Sequence, residues 1–425
     1  LLILVLEALL SPLAAFGVIL SFVFSPRRWR LAGLAYELPE RLGSIPASVT
    51  ARLAGREIWW LHAASAGEVG GLAPLVEALA LRPNPPAVVL TTTTRSGRDA
   101  ARALPGAAWA QLAPLDAWPC VSRFISRLAP RRLLLAETEL WPSTLILAAR
   151  AGLAPALVNA RLTKRSLARY GLISPLLAPA LRSLSLVAAQ TPEDGARFRA
   201  LGVPGERVRV TGNAKYDRTT APGANDAALA RVAAMGWEGS PLFVAGSTHP
   251  LEEEIVLAAY MSARLHMPLL RLVLAPRHLE RAPDASELLR GAKLRLSLWS
   301  KPAVVGADAL VLDAMGALSS FYPLARAAFV GGTLVPVGGH NLLEPALAGV
   351  PVLFGPHTGH IERPAKLLAE EGGGCRIKDA DDLAARIAEF AGDEFRSRVI
   401  GAQARATAVR LQGATARILA ELETL

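Results

Sequence analysis

Residues 57–70 read EIWWLHAASAGEVG: an apolar run from Ile58 to Leu61, a histidine, a loop of small residues and then Glu68. The run is too short to be a helix of its own and meets turn-forming residues at once. This predicts a buried strand that passes through a tight loop into a helix from about Glu68. The rhythm returns along the chain. Val88–Leu90 precedes a helix after Ser96, Leu133–Leu135 precedes Glu137, Ala156–Val158 precedes Asn159, Val187–Ala189 precedes a helix capped near Thr191, and Val208–Val210 precedes Gly212. It restarts with Leu242–Val244 before Gly246, Leu272–Leu274 before Pro276, Leu310–Leu312 before Asp313, Ala328–Val330 before Gly331, and Val352–Phe354 before Gly355. Such alternation predicts an α/β protein with two Rossmann-like, doubly wound domains facing across a cleft, and ligands at the carboxyl ends of the strands. The expected division is 31–218 for the first domain, 219–240 for an Ala-, Gly-, Thr- and Pro-rich linker, and 241–425 for the second domain with C-terminal helices.

Residues 1–30 read differently. Leu1 to Phe24 is apolar apart from Glu7 and a proline at 12, and Pro26-Arg27-Arg28-Trp29-Arg30 follows it. The run is long enough to cross a bilayer, and basic residues after rather than before it argue for an uncleaved N-terminal anchor with the rest of the chain cytoplasmic. The whole chain, 425 residues at 52% hydrophobic content, is long enough for two cores, and its formal charge of +10 favours an anionic partner. Aromatic residues are only 6% and no stretch interleaves them with dense Lys and Arg, so a nucleic-acid platform is excluded as the reading. The two cysteines, Cys120 and Cys375, lack ligand spacing, and Glu252-Glu253-Glu254 reads as the solvated first turn of a helix. No metal and no cofactor are expected.

The polar motifs fall at strand ends. Gly331-Gly332-Thr333, followed by Gly338-Gly339-His340-Asn341 and Glu344, places a glycine-rich loop before a helix expected near Asn341. Exposed amides there would attract a phosphate, Asn341 would cap the helix or touch the phosphate, and Glu344 would take ribose hydroxyls. The pattern is neither GxGxxG nor a Walker loop and fits a nucleotide sugar; plain tight turns are the alternative. Glu68 is either a general base or an acid that only stabilises its helix start, and the residues alone favour the second. Glu137-Thr138-Glu139 places two carboxylates at another strand end. Lys215, with Arg161, Lys164 and Arg165 nearby, is suited to an anion; Ser247-Thr248-His249 and Pro276-Arg277-His278 are suited to a nucleotide.

Taken together, HAASAGEV, TTTTRSGR, ETELWP, NARLTKRS, AAQTPEDGARFRALG, GNAKYD, AGSTHPLEEE, APRHLER, DAMGALSSFYPLA, AFVGGTLVPVGGHNLLEPA and FGPHTGH closely resemble the Kdo transferases, glycosyltransferase family 30, over nearly the whole chain. The resemblance implies the GT-B fold with an N-terminal membrane segment. It implies Glu68 as catalytic base, with Glu137 and Lys215 assisting. It also implies a CMP site from Pro276 and Arg277, from Met315, Gly316 and Ala317, and from Asn341, Leu342, Leu343 and Glu344. Where the family usually has MGE, Ala317 stands in place of the acid. The implied reaction is inverting transfer of Kdo from CMP-Kdo to a lipid A precursor, lipid IVA, at the anionic surface of the inner membrane. A transferase for another nucleotide sugar, or a tethered nucleotide-binding protein without catalysis, are the rivals.

Overall fold

A computed structural model describes residues 37–219 and 223–425, which form two compact units. The first holds a seven-stranded parallel sheet of β1 (Ile58–His62), β2 (Ala87–Thr92), β3 (Ala107–Leu112), β4 (Arg132–Ala136), β5 (Ala154–Ala160), β6 (Leu186–Ala189) and β7 (Val208–Val210), in the order β3-β2-β1-β4-β5-β6-β7. The central strands are buried throughout, as parallel strands covered by helices on both faces must be. Trp60 packs on Phe124 on one face, and Leu61 meets Val69 and Leu72 of the following helix on the other. The order reverses between β1 and β4, which puts the crevice of this sheet beside the ends of those two strands.

The second unit repeats the design with β8 (Leu242–Thr248), β9 (Arg271–Pro276), β10 (Leu296–Leu298), β11 (Ala309–Val311), β12 (Ala327–Val330), β13 (Val352–Phe354) and β14 (Gly374–Arg376), ordered β10-β11-β9-β8-β12-β13-β14. Its switch point lies between β8 and β12. Gly331, just past β12, must be glycine: a Cβ there would sit 2.3 Å from the Ser247 carbonyl oxygen, so the close approach of the two strand ends depends on its absence.

Two domain boundaries differ from those expected. Residues 223–240 are not a free linker: Asn225 caps helix Asp226–Ala234, Ala228, Met235 and Trp237 are buried in the second unit, and the Trp237 indole donates to the Ala307 carbonyl at 2.6 Å. The chain end from Gln412 returns to the first unit instead of closing the second. Asp217 accepts from the Gly413 and Thr415 amides at 2.7 and 2.6 Å, and Ile418 and Leu422 of helix Ala414–Glu423 join the core with Val69 and Leu72. No helix of the described residues is long and apolar enough to cross a membrane; the stretch read as an anchor, 1–30, lies outside the described residues.

Candidate functional site

At the switch point of the first sheet, β1 delivers the chain to Ser65, which caps helix Ala66–Ala80 by accepting from the Glu68 amide. The Glu68 carboxylate reaches back, accepting from the Ala64 amide at 2.8 Å and from the Ser65 hydroxyl at 3.2 Å. The arrangement is a variant of the capping box, with the carboxylate on the amide before the N-cap residue instead of the N-cap's own, so Glu68 does stabilise its helix start. It is not only that. Burial raises its pKa above the ordinary carboxylate value, the Ala64 hydrogen bond opposes the rise, and the like charges of Glu139 and Glu137 add to it. A half-buried carboxylate held in this way is suited to accept a proton.

Glu137 follows β4 in the left-handed region, with φ 49°, a conformation non-glycine residues seldom hold without a local reason. Its carboxylate pairs with the Lys215 ammonium at 2.8 Å. Lys215 crosses the helix of Glu68 where Gly71 leaves room: a Cβ at Gly71 would lie 2.8 Å from the lysine Cε. Glu139 accepts from the Trp141 indole at 2.6 Å and stands 3.4 Å from buried His62, whose Nδ1 faces the Thr91 hydroxyl at 3.0 Å. Behind Lys215, buried Asn159 accepts from the Ala214 amide at 3.0 Å, and Gln190 bridges Asn159 and Asn213. Thus Glu68, Glu137, Glu139 and Lys215 gather at one crevice. Arg161, Lys164 and Arg165 are exposed on the segment after β5.

In the second unit, Asn341 donates to Glu344 at 3.0 Å and to the Thr219 hydroxyl at 3.1 Å, and accepts from the Leu343 amide at 3.0 Å; it closes a turn ahead of the short helix Leu343–Leu347, whose N-cap is Leu342 with no side-chain cap, so Asn341 is not the cap that was expected. Burial raises the Glu344 pKa, opposed by the Asn341 bond. Leu342 and Leu343 turn into the core, 1% and 2% exposed, which leaves only their backbone for a ligand. Arg277 is exposed after buried Pro276, and Met315 and Gly316 are exposed while Ala317 packs in the apolar cluster around Phe321 and Tyr322. No hydrogen bond or ion pair joins residues 315–317 to Asn341 or Glu344 among the described residues.

Two expectations for this unit are corrected. Glu252 and Glu253 are buried, 0% and 1% exposed; of the three acids only Glu254 is solvated. Glu253 is held by the Thr248 hydroxyl at 3.1 Å and Arg281 at 3.4 Å. Glu252 accepts from the amides of His249, Gly332, Thr333 and Leu334 at 2.7–3.0 Å. The Gly331 amide goes to Gly246, and those of Gly338 and Gly339 go to the Gly332 carbonyl. Of the amides expected to meet a phosphate, those of Gly331 to Leu334 and of Gly338 and Gly339 are therefore satisfied within the protein, and a helix of five residues adds little dipole.

The family model for 3-deoxy-D-manno-octulosonic-acid transferase (kdotransferase) matches residues 36–218. A 3-deoxy-D-manno-octulosonic acid transferase of Bordetella pertussis is 36% identical over 93% of this chain and 94% of its own length. The chain belongs to the 3-deoxy-D-manno-octulosonic acid (Kdo) transferase family. A Kdo transferase of Haemophilus influenzae is 34% identical over 78% of each chain. Among solved structures, a UDP-GlcNAc 2-epimerase from Neisseria meningitidis superposes with a TM-score of 0.54 over 87% of this chain and all of that one, at 13% identity, a likeness of fold alone.

Membership of the Kdo transferase family gives the crevice of the first sheet its interest, because the stretch matched by the family model carries Glu68, Glu137 and Lys215. No role was predicted for His62 or Asn159, Glu139 was singled out only as one of two carboxylates at a strand end, and Glu252 only as a solvated helix-start acid. His62 and Asn159 stand in stretches that carry the resemblance, but polarity at a strand end does not say what a side chain will touch. Glu252 stands in such a stretch too, but its four partners come from two separate loops that local sequence does not bring together.

Proposed function

We propose that this chain is an inverting GT-B transferase that moves Kdo from CMP-Kdo to a lipid A precursor such as lipid IVA, anchored through residues 1–30 at the cytoplasmic face of the inner membrane. The observation that carries the reading is the Glu68 carboxylate, half-buried among like charges with its pKa raised, at the switch point of the first sheet. Glu68 takes the proton from a glucosamine hydroxyl. The oxygen attacks the anomeric carbon of Kdo, and the bond to the CMP phosphate breaks with its electron pair leaving on the phosphate. Glu137 and Lys215, paired at 2.8 Å, stabilise charge beside the base. The donor nucleotide belongs to the second unit, with Glu344 and Asn341 on the ribose, Pro276, Arg277, Met315, Gly316 and the backbone of Ala317, Leu342 and Leu343 along CMP, and Arg277 supplying a cation.

A surface feature of the first unit supports the membrane part of the reading. Leu172, Ile173 and Leu176 are 85%, 44% and 55% exposed next to exposed Lys164, Arg165 and Arg169. Apolar side chains beside cations suit an anionic lipid interface. Glu68→Gln tests the chemistry: with radiolabelled CMP-Kdo and lipid IVA, transfer falls about a thousandfold, the scale of general-base loss, while CMP still binds. Turnover near wild type removes Glu68 as the base.

A further inference from the structure

The satisfied amides of the glycine loop leave a question of where the negative end of a donor would be met in the second unit. Side chains at the switch point supply an answer. His249, just after β8, and His340, after the glycine loop, bring their Nε2 atoms to 2.7 Å, with ring planes 2° apart and centroids separated by 5.0 Å. His278, after β9, lies edge-on to His249 with centroids 5.7 Å apart. Glu252 and its four amides fix both ends of this arrangement, because it binds the His249 amide and the Gly332 amide with the same carboxylate oxygen.

A contact between two imidazole nitrogens holds one hydrogen: one ring donates and the other accepts. In the uncharged pair the donating ring keeps a bare Nδ1 and the accepting ring keeps an Nδ1–H. One added proton converts the bare nitrogen, so the pair then offers two Nδ1–H donors and a positive charge. Without a ligand its surroundings oppose that proton. Burial holds His340 down at about 4, with His249, Arg277, His278 and His360 pressing the same way. His249 is also lowered, first by burial and then by His278 and Arg277, against the opposite pull of Glu252. An anion placed among these groups reverses the sign of the burden, since every neighbour that disfavours a second cation favours an anion.

We propose that His249 and His340, with Arg277 and His278, form the site that holds the donor's phosphodiester, and that the histidine pair takes up a proton as the phosphodiester binds. The proposal rests on the donor reading above and assigns the phosphate grip to imidazoles and a guanidinium in place of loop amides. Phosphate bound there lies next to Asn341 and Glu344 in sequence, where the ribose is read, so one short segment serves both parts of the nucleotide.

The test uses the full chain and the methyl ester of CMP, a phosphodiester whose charge stays constant while imidazole titrates, with cytidine as the phosphate-free control. Calorimetry at neutral pH in buffers of different ionisation enthalpy is expected to give net proton uptake for the ester and none for cytidine. His249→Gln and His340→Gln are each expected to weaken the ester about tenfold or more, to remove the proton uptake, and to leave cytidine affinity as it is. Ester binding equally tight in both variants, or binding to the wild type without proton uptake, overturns the proposal while the donor reading stands. Should a variant lose cytidine as well, the wild-type proton uptake decides. Failure of the wild type to bind either compound overturns the donor reading and the proposal with it.

Discussion

Two glutamates occupy equivalent places in the two units. Glu68 lies in the first turn of the helix after β1, and Glu252 in the first turn of the helix after β8. Both carboxylates reach back toward the strand end. Glu68 finds one backbone amide and one hydroxyl, with Glu137 and Glu139 for neighbours; Glu252 finds four backbone amides and is wholly buried. An acid with few donors and like charges around it is kept ready for a proton, whereas one with four donors is a fixed part of the backbone architecture. The same helix turn on the same supersecondary unit therefore suits proton transfer in one case and fixes loop geometry in the other, and the partners decide which.

The comparison breaks most sharply under truncation of Glu252. Glu252→Ala leaves four amides without their acceptor, two of them buried and two half-buried, and at about 1 kcal/mol for each the second unit should lose about 4 kcal/mol of stability. Glu68→Gln keeps an oxygen for the Ala64 amide and should cost about 1 kcal/mol or less. Thermal unfolding of both variants measures this directly. Equal, small losses would mean that Glu252 does not organise the loop.

Lys215→Met is the next largest. Removing the ammonium strips Glu137 of its partner and should lower transfer on the order of tenfold to a hundredfold. It should also move the acid limb of the pH profile. The base works only when deprotonated, so kcat/KM falls as pH drops through the raised pKa of Glu68. With Glu137 no longer neutralised at 2.8 Å, the repulsion on Glu68 grows and the limb shifts to higher pH. A loss of rate with the limb unmoved would separate Lys215 from the base.

Most of this fold was legible before the structure, and the strands that were not share a physical cause. The eleven runs read as strands are present, while β3, β10 and β14 were missed, and all three are sheet edges. Edge strands are buried on fewer sides, so their sequences, such as Leu296–Leu298 and Gly374–Arg376, need no apolar run to announce them. The site divides in the same way. Glu68, Glu137 and Lys215 stand beyond strand ends and were named from position and resemblance, and the pairing of the latter two is observed. The role of Glu252 was misread because a first-turn acid is usually solvated, and only the folded chain brings Gly332, Thr333 and Leu334 to it. The reach of the C-terminal helix back to Asp217 was hidden for the same reason: long-range partners leave no trace in local periodicity.

The finest test concerns Glu139, which touches no reacting group in the proposed chemistry yet raises the pKa of Glu68 by its charge. Glu139→Gln keeps an oxygen for the Trp141 indole, which now donates to Glu139 at 2.6 Å, so packing should survive. The like charge disappears, and Glu68 becomes easier to ionise. The acid limb of kcat/KM should then move to lower pH, opposite to the shift in Lys215→Met, while the plateau rate falls slightly because a more acidic base is a weaker one. Opposite displacements of one limb by two neutralisations of opposite sign are what a base tuned by its neighbours requires. Displacement in the same direction by both variants would assign the limb to a different group and leave Glu68 no different in kind from Glu252.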